Sequence, residues 1–241
     1  MKSKRLGKKI RIGLVLLNKN EERNLIKLLP KLNLKTFDDY FAIDGGSSDN
    51  SKKLIQLSGI QVLDQISKGR GAAFSQGFKE AKLRNLEALV FFSTDGNEDP
   101  GDFGKFRPIL ERGADIVIGS RMLKGARNEE DSQILKIRKW GNKFFAWSGF
   151  LLLGRNQLRI TDPINGYRAI SLTAWEKMGV ESLGFSVEYE TSLMAYKLNL
   201  KVEEFPTIEL PREFGESSAK ALKTTMAMTR TLFKTIKKET L

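Results

Sequence analysis

Asp95-Gly96-Asn97-Glu98-Asp99 places a carboxylate and an amide two residues apart, directly after the apolar run 87–93 (EALVFFS). Oxygen donors at that spacing can share a small hard cation. A cation there can bridge a diphosphate and neutralise a departing nucleotide. Asp, Gly and Asn also favour turns, so the segment read alone is equally an acidic turn. Gly69-Arg70-Gly71, followed by two alanines, opens a helical stretch. A helix N-terminus framed by small residues admits phosphate, and arginine adds a charge clamp. Asp44 closes the run 40–44 (YFAID), where it can accept hydrogen bonds from a nucleobase or cap the loop that follows. Glu21 and Glu22 read equally as first-turn acids favoured by a helix dipole.

The elements that must position these groups alternate. Residues 10–17 (IRIGLVLL) predict a buried strand, and 20–32 a helix with Asn20 as N-cap and Pro30 ending or kinking it. A second strand covers 40–44, and the loop Gly45-Gly46-Ser47-Ser48-Asp49 opens a helix to about residue 59. A short strand at 60–63, a helix from 69–71 to about 84, and buried strands at 87–93 and 115–119 complete the first half. This alternation is the signature of a parallel sheet with helices on both faces. Ligands of such sheets sit at the carboxyl ends of the strands. Asp44, the 69–71 turn, the 95–99 turn and Ser120-Arg121 all fall there. Their coincidence weighs more than any one motif.

Beyond residue 120 the pattern changes. Residues 132–153 predict a long helix rich in Trp, Phe and Leu, with Lys136, Arg138, Lys139 and Lys143 interspersed. Residues 185–197 read as a helix or strand-helix, and 201–208 as a strand. Leu222, Met226, Thr229, Phe233 and Ile236 recur at steps of four and three, which predicts an amphipathic helix over 217–237 with basic residues between them.

Composition narrows the chemistry. The 241 residues suffice for one large domain or two small ones. With no cysteine and no histidine, thiolate and imidazole metal sites, Ser-His-Asp and Cys-His catalysis and a histidine base are excluded. Any metal must be held by oxygen, which points to Mg²⁺ or Mn²⁺. The net charge of +12 is concentrated at the ends: residues 1–11 hold six Lys/Arg and no acid, and 217–241 hold six with one acid. A nearly neutral body with cationic ends suits an anionic surface, membrane or nucleic acid. The near-neutral body and the lack of a nucleic-acid motif favour membrane. The run 12–17 is too short for a secretory signal, and 144–153 is about half a membrane span. The expectation is a cytoplasmic protein, peripheral at the inner membrane face, with no transmembrane helix.

Seven motifs stand in order: Asn20-Glu21-Glu22-x-Asn24-Leu25, Ile43-Asp44-Gly45-Gly46-Ser47-Ser48-Asp49, Gly69-Arg70-Gly71-Ala72-Ala73-x-x-x-Gly77, Asp95-Gly96-Asn97-Glu98-Asp99-Pro100, Gly119-Ser120-Arg121, Asp162-x-x-x-Gly166-Tyr167-Arg168 and Arg212-x-x-Gly215-Glu216-Ser217. Together, over about residues 10–218, they resemble a family 2 glycosyltransferase of the dolichyl-phosphate mannosyltransferase-like branch. The resemblance implies a GT-A (Rossmann-like) α/β fold: a mostly parallel central sheet flanked by helices, with amphipathic helices in the C-terminal half. It implies one catalytic domain over 12–216 divided near residue 120 into nucleotide-sugar and acceptor halves, which charge and periodicity flank with a basic tail at 1–11 and a basic amphipathic helix at 217–241.

The resemblance also assigns roles. Asn20, Glu21, Asp44, Gly46, Ser47, Gly69, Arg70, Gly71, Thr94 and Asp95 would form the nucleotide-sugar site, with Arg70 near the diphosphate. Asp95 and Asn97 would hold a divalent cation, Mg²⁺ or Mn²⁺. Arg121, with Arg138 and Ser217, would meet an acceptor phosphate, and Glu190 and Arg212 match the acid and arginine of a later helix and mobile loop. The sequence departs from the family pattern at Ser93 and Gly45, which stand where acids are usual. The implied reaction is inverting transfer from a nucleotide-sugar to a polyprenyl phosphate. Asp162 and Glu190 are the candidate bases should the acceptor be an alcohol. A saccharide or protein acceptor, a nucleotidyltransferase, a binding-only homologue and a homodimer are the alternatives.

Overall fold

A computed structural model describes residues 9–132, 137–154, 157–210, 214 and 221–238. Seven strands form one sheet in the order β3-β2-β1-β4-β6-β5-β7. They are β1 (Ile12–Asn18), β2 (Asp39–Asp44), β3 (Gln61–Asp64), β4 (Ala88–Ser93), β5 (Ile116–Ser120), β6 (Arg168–Ser171) and β7 (Val202–Pro206). β6 runs antiparallel to both of its neighbours, and every other pairing is parallel.

The helices are α1 (Glu22–Leu28), α2 (Ser51–Leu57), α3 (Arg70–Leu83), α4 (Phe103–Glu111), α5 (Ile137–Leu153), α6 (Leu172–Met178), α7 (Val187–Lys197) and α8 (Ala221–Lys237). Because successive side chains of a strand point to opposite faces, continuous apolar strands feed two cores. Ile12, Leu14, Leu16, Val90 and Phe92 pack with Phe103 and Phe106 of α4 on one face. Val15, Leu17, Leu89 and Phe91 pack with Phe74 and Phe78 of α3 on the other. A third cluster joins Phe145 of α5, Tyr189 and Leu193 of α7, and Met228 and Leu232 of α8.

The α/β architecture and the strands of the first half agree with the sequence. Several details do not. Asn20 is no N-cap: it adopts a left-handed φ of 55° and Glu21 takes that position. α1 stops at Leu28, short of the expected residue 32, and Pro30 ends it as expected, standing in the short 3-10 turn that follows. α4, β6 and α6 were not foreseen, and the helix expected from residue 132 is a 3-10 turn at Glu129–Ser132 followed by α5. On α8 the periodic stripe faces outward. Leu222, Met226, Phe233 and Ile236 are exposed, while Met228, Thr231, Leu232 and Thr235 are buried. Among the described residues no helix is long and apolar enough to cross a membrane.

Candidate active site

The carboxyl ends of β1, β2 and β4 are tied by one polar network. Asn18 Nδ2 donates to Asp44 Oδ1 at 2.7 Å, and Thr94 Oγ1 donates to Asn18 Oδ1 at 2.8 Å. Asp44 also accepts from Ser47 Oγ at 2.6 Å, Ser47 N at 2.8 Å and Gly46 N at 3.1 Å. Burial alone would raise its pKa. The hydrogen bonds from Ser47, Asn18 and Gly46 outweigh burial and hold the carboxyl below its ordinary range. Asn20 joins the network from the β1–α1 loop. Its N–H donates to Ser47 Oγ at 2.9 Å, and its Oδ1 accepts from Ser48 N at 2.7 Å. Glu21 Oε2 accepts from Asn24 Nδ2 at 2.6 Å. The expected residues Asn20, Glu21, Asp44, Gly46, Ser47 and Thr94 therefore gather at one end of the sheet. Asp44 spends its acceptor capacity on Asn18 of β1 and on its own loop.

The 69–71 turn has a different local cause from the one expected. A Cβ on Gly69, whose φ is +111°, would stand 2.2 Å from Leu183 O, and one on Gly71 would stand 1.8 Å from Ser182 O. Ala72 N donates to Leu183 O at 3.2 Å. The segment 182–184 thus covers the start of α3, and that N–H meets a carbonyl instead of facing open space. Gly71→Ala is expected to displace this segment and destabilise the protein by about 1–3 kcal/mol, the usual cost of overpacking. Urea denaturation checks it; an unchanged midpoint contradicts the packing account.

Arg70 itself does face a cavity. Its Nε pairs with Glu188 Oε1, and Gly166 leaves the room its guanidinium needs, since a Cβ there would sit 1.9 Å from Nη2. Burial opposes its charge, but Glu188, Glu98 and Asp95 outweigh burial and keep it protonated.

That cavity, about 300 Å³, lies beyond the ends of β4 and β5. Asp95, Asn97 and Glu98 line it from the turn after β4, and Arg121 from the end of β5. Asn142 and Phe145 line it from α5, Thr225 and Met228 from α8. Asp95 and Asn97 are buried, and Asn97 N donates to Asp95 Oδ1 at 3.3 Å. Asn97 Nδ2 donates to Glu129 Oε2 at 3.3 Å, while Asn97 Oδ1 has no hydrogen-bond partner among the described residues. A buried amide oxygen without a donor beside a buried carboxylate suits a hard cation. Glu98 Oε2 accepts from Ser93 N at 2.7 Å. Burial and the neighbouring Asp95 push the Glu98 carboxyl up to about 8. Asp99 turns away and caps the next 3-10 turn through Gly101 N at 2.8 Å.

Arg121 is held by two acids. Its Nε donates to Asp162 Oδ2 at 2.8 Å, Nη2 to Asp162 Oδ1 at 2.9 Å, and Nη1 to Glu209 Oε1 at 2.8 Å. Asp162 is fully buried and also accepts from Arg121 N at 3.0 Å and Asn142 Nδ2 at 2.6 Å. Burial would raise its pKa, but Arg121 holds it below the ordinary carboxylate range. A carboxylate so engaged is a poor proton acceptor, and Asp162 does not line the cavity.

Glu190 does not reach the cavity either. Its oxygens accept from Glu181 N at 3.0 Å and Ser182 N at 2.7 Å, so it fixes the segment that covers α3. The acid of α7 that does line the cavity is Glu188. Arg168, fully buried at the start of β6, donates to Asn165 O, Pro163 O, Glu188 O, Thr191 Oγ1 and Ser192 Oγ. Burial pushes its pKa down to about 10. Arg212, Ser217 and the side chain of Arg138 lie outside the described residues.

Sequence reasoning missed Glu188, Asn142 and Glu209 as cavity residues. Asn142 carried a signal, a lone amide in an aromatic run. Glu188 carried none that separates it from Glu190.

Residues 14–178 match the sequence profile of glycosyl transferase family 2. The chain is 28% identical over 191 residues to the undecaprenyl-phosphate mannosyltransferase of Micrococcus luteus, covering 74% of each. It is 25% identical over 217 residues to the UDP-N-acetylglucosamine–dolichyl-phosphate N-acetylglucosaminyltransferase of Methanococcus voltae, covering 81% of this chain and 84% of that one. The crystal structure of glucosyl-3-phosphoglycerate synthase from Mycobacterium tuberculosis in complex with Mn²⁺, uridine diphosphate and phosphoglyceric acid superposes with a TM-score of 0.70 at 17% identity, covering 95% of this chain and 80% of that one.

Proposed function

The chain belongs to glycosyl transferase family 2, and from that premise we propose that it moves a sugar from a nucleoside-diphosphate donor to the phosphate of a polyprenyl lipid at a membrane surface. Its fold is the GT-A arrangement of sugar transferases. The observation that carries the acceptor reading is the placement of the cavity. Arg70 and Arg121 stand in its wall, and α5 and α8 close its outer side. The outer faces of those helices expose Trp140, Phe144, Trp147 and Leu151, and Leu222, Met226 and Phe233. Lys143, Lys223, Arg230 and Lys237 lie among them. Apolar stripes edged with cations suit a headgroup boundary. Two relatives named for transfer to polyprenyl phosphates support the same reading. The protein would sit peripherally on the cytoplasmic face.

The residues then divide by role. The Asn20, Glu21, Asp44, Gly46, Ser47 and Thr94 network shapes the nucleotide end, with Asp44 acting through the loop it holds. Gly69 and Gly71 let segment 182–184 dock, which sets Arg70 in the cavity wall to meet the diphosphate. Asp95 and Asn97 would hold a divalent cation, which when bound neutralises charge on the diphosphate. Arg121 would orient the acceptor phosphate.

An oxygen of that phosphate forms the new bond to C1 from the face opposite the diphosphate. The C1–O bond to the diphosphate breaks, and its electron pair leaves with the nucleotide. A phosphate with its second pKa near 6 is largely ionised at pH 7, so no proton need be removed. The engagement of Asp162 and Glu190 elsewhere supports an acceptor that needs no base.

The test is transfer of radiolabelled sugar from UDP-, GDP-, CDP- and dTDP-sugars into vesicles. Label is expected in the lipid phase with polyprenyl phosphate and not with polyprenol. Label with polyprenol alone, or with neither, overturns the acceptor reading. A companion prediction concerns α8: Met226→Ser/Phe233→Ser is expected to bind anionic vesicles roughly tenfold more weakly, from the loss of buried apolar area. Unchanged vesicle sedimentation, with a dimer by gel filtration that the variant dissolves, would make the stripe a subunit seam.

A further inference from the structure

The turn after β4 folds back on itself. Gly96 takes a left-handed φ of +80°, which reverses the chain and brings residue 98 over the end of the strand it has just left. Glu98 Oε2 is fixed there by Ser93 N at 2.7 Å, so the second oxygen is the one left for another partner. Glu98, Asp95 and Asn97 line the same cavity. Asn97 is buried, and its Oδ1 has no partner among the described residues.

We propose that Glu98 is a third oxygen ligand of the divalent cation held by Asp95 and Asn97, supplying from the far side of the turn the carboxylate that Ser93 does not carry. This rests on the reading of Asp95 and Asn97 as a cation site, and it extends that site to a residue outside the spacing that first suggested it.

Two observations point the same way. Asp95 and Glu98 are two carboxylates of one short turn that face the same cavity, and like charges so placed repel each other. Such a pair is stable when a cation lies between its members. Asn97 Oδ1 supplies a neutral ligand oxygen that no group among the described residues satisfies. Among the described residues no group of three acidic side chains could hold a metal by carboxylates alone, so the proposed set combines two carboxylates with one amide. Mg²⁺ and its analogue Mn²⁺ are held in that way, by one or two carboxylates with the rest left to phosphate oxygens and water. Arg70 lies close enough to feel both acids and limits the charge of the site without occupying it.

The experiment titrates Mn²⁺ into the full chain and reads the free-ion signal by electron paramagnetic resonance, with thermal melting as a check of the fold. Glu98→Gln keeps the acceptor for Ser93 N and removes only the charge. It is expected to weaken Mn²⁺ binding roughly tenfold or more, and Asp95→Asn to do at least the same. If Asp95→Asn loses the ion while Glu98→Gln stays within threefold of wild type, Glu98 is not a ligand and the cation site itself stands. The same result with sugar transfer abolished would leave Glu98 as a proton acceptor, and would equally overturn the proposal. If the wild-type chain takes up no Mn²⁺, alone or with uridine diphosphate, the cation reading falls and this one with it.

Discussion

Asp95→Asn is expected to lower sugar transfer by roughly 10²–10³-fold, the usual cost of removing one group that stabilises charge developing in a transition state. The side chain is buried in the cavity wall within reach of Asn97, Glu98 and Arg70. Its charge is the feature the reaction would use, because the departing diphosphate gathers negative charge there. The substitution keeps shape and an oxygen for Asn97 N, so the fold is expected to survive. It also relieves the repulsion that Asp95 exerts on Glu98. The melting temperature without metal should therefore be unchanged or higher. Loss of transfer with a preserved or raised melting temperature supports a chemical role. Transfer within tenfold of wild type would remove Asp95 from the mechanism.

Arg121→Met is expected to cost about 3–5 kcal/mol of stability at pH 8, the range for breaking a buried ion pair from one side. Asp162 and Glu209 would then be left as buried carboxylates without their cation. The pH dependence has a definite sign. In the wild type the Asp162 carboxyl is held low, so its contribution is present above its ordinary pKa near 3.8 and is lost as pH falls through its folded value. In the variant both acids have raised folded pKa values, so their penalty is absent at low pH and grows as pH rises. The deficit against wild type should be large at pH 8 and shrink towards pH 5. Urea denaturation at the two values measures it, and a deficit independent of pH would place the damage in packing rather than charge. Transfer should fall as well, since Arg121 is the cation expected to meet the acceptor.

The half of the fold that builds the donor end was legible because its strands are continuous apolar runs ending in polar residues. The second half was not, for identifiable reasons. β6 is four residues long and begins with a fully buried arginine, which no apolar pattern announces. α4 carries Pro108 inside it, a residue that argues against a helix in any sequence reading. α7 is buried on every side from Val187 to Tyr196, so no periodicity tells Glu188 from Glu190. The glycines at 69 and 71 were noticed, but the backbone that demands them lies at 182–184. Amphipathicity announced α8 without saying which face would be covered.

The strand order bears on how the chain can assemble. β5 and β7 join the sheet only through β6, which lies between β4 and β5 and is made long after both. A ribosome that has released β1 to β4 has supplied every strand of the four-stranded half β3-β2-β1-β4. β5 then waits without a partner until β6 arrives. Contacts of that span are slow to form, and an unpaired strand is an invitation to aggregate while it waits. Nascent chains halted between β5 and β6 should be insoluble, and those extended past β7 should not. The short antiparallel strand with its buried arginine is thus the step that commits the two halves to one molecule.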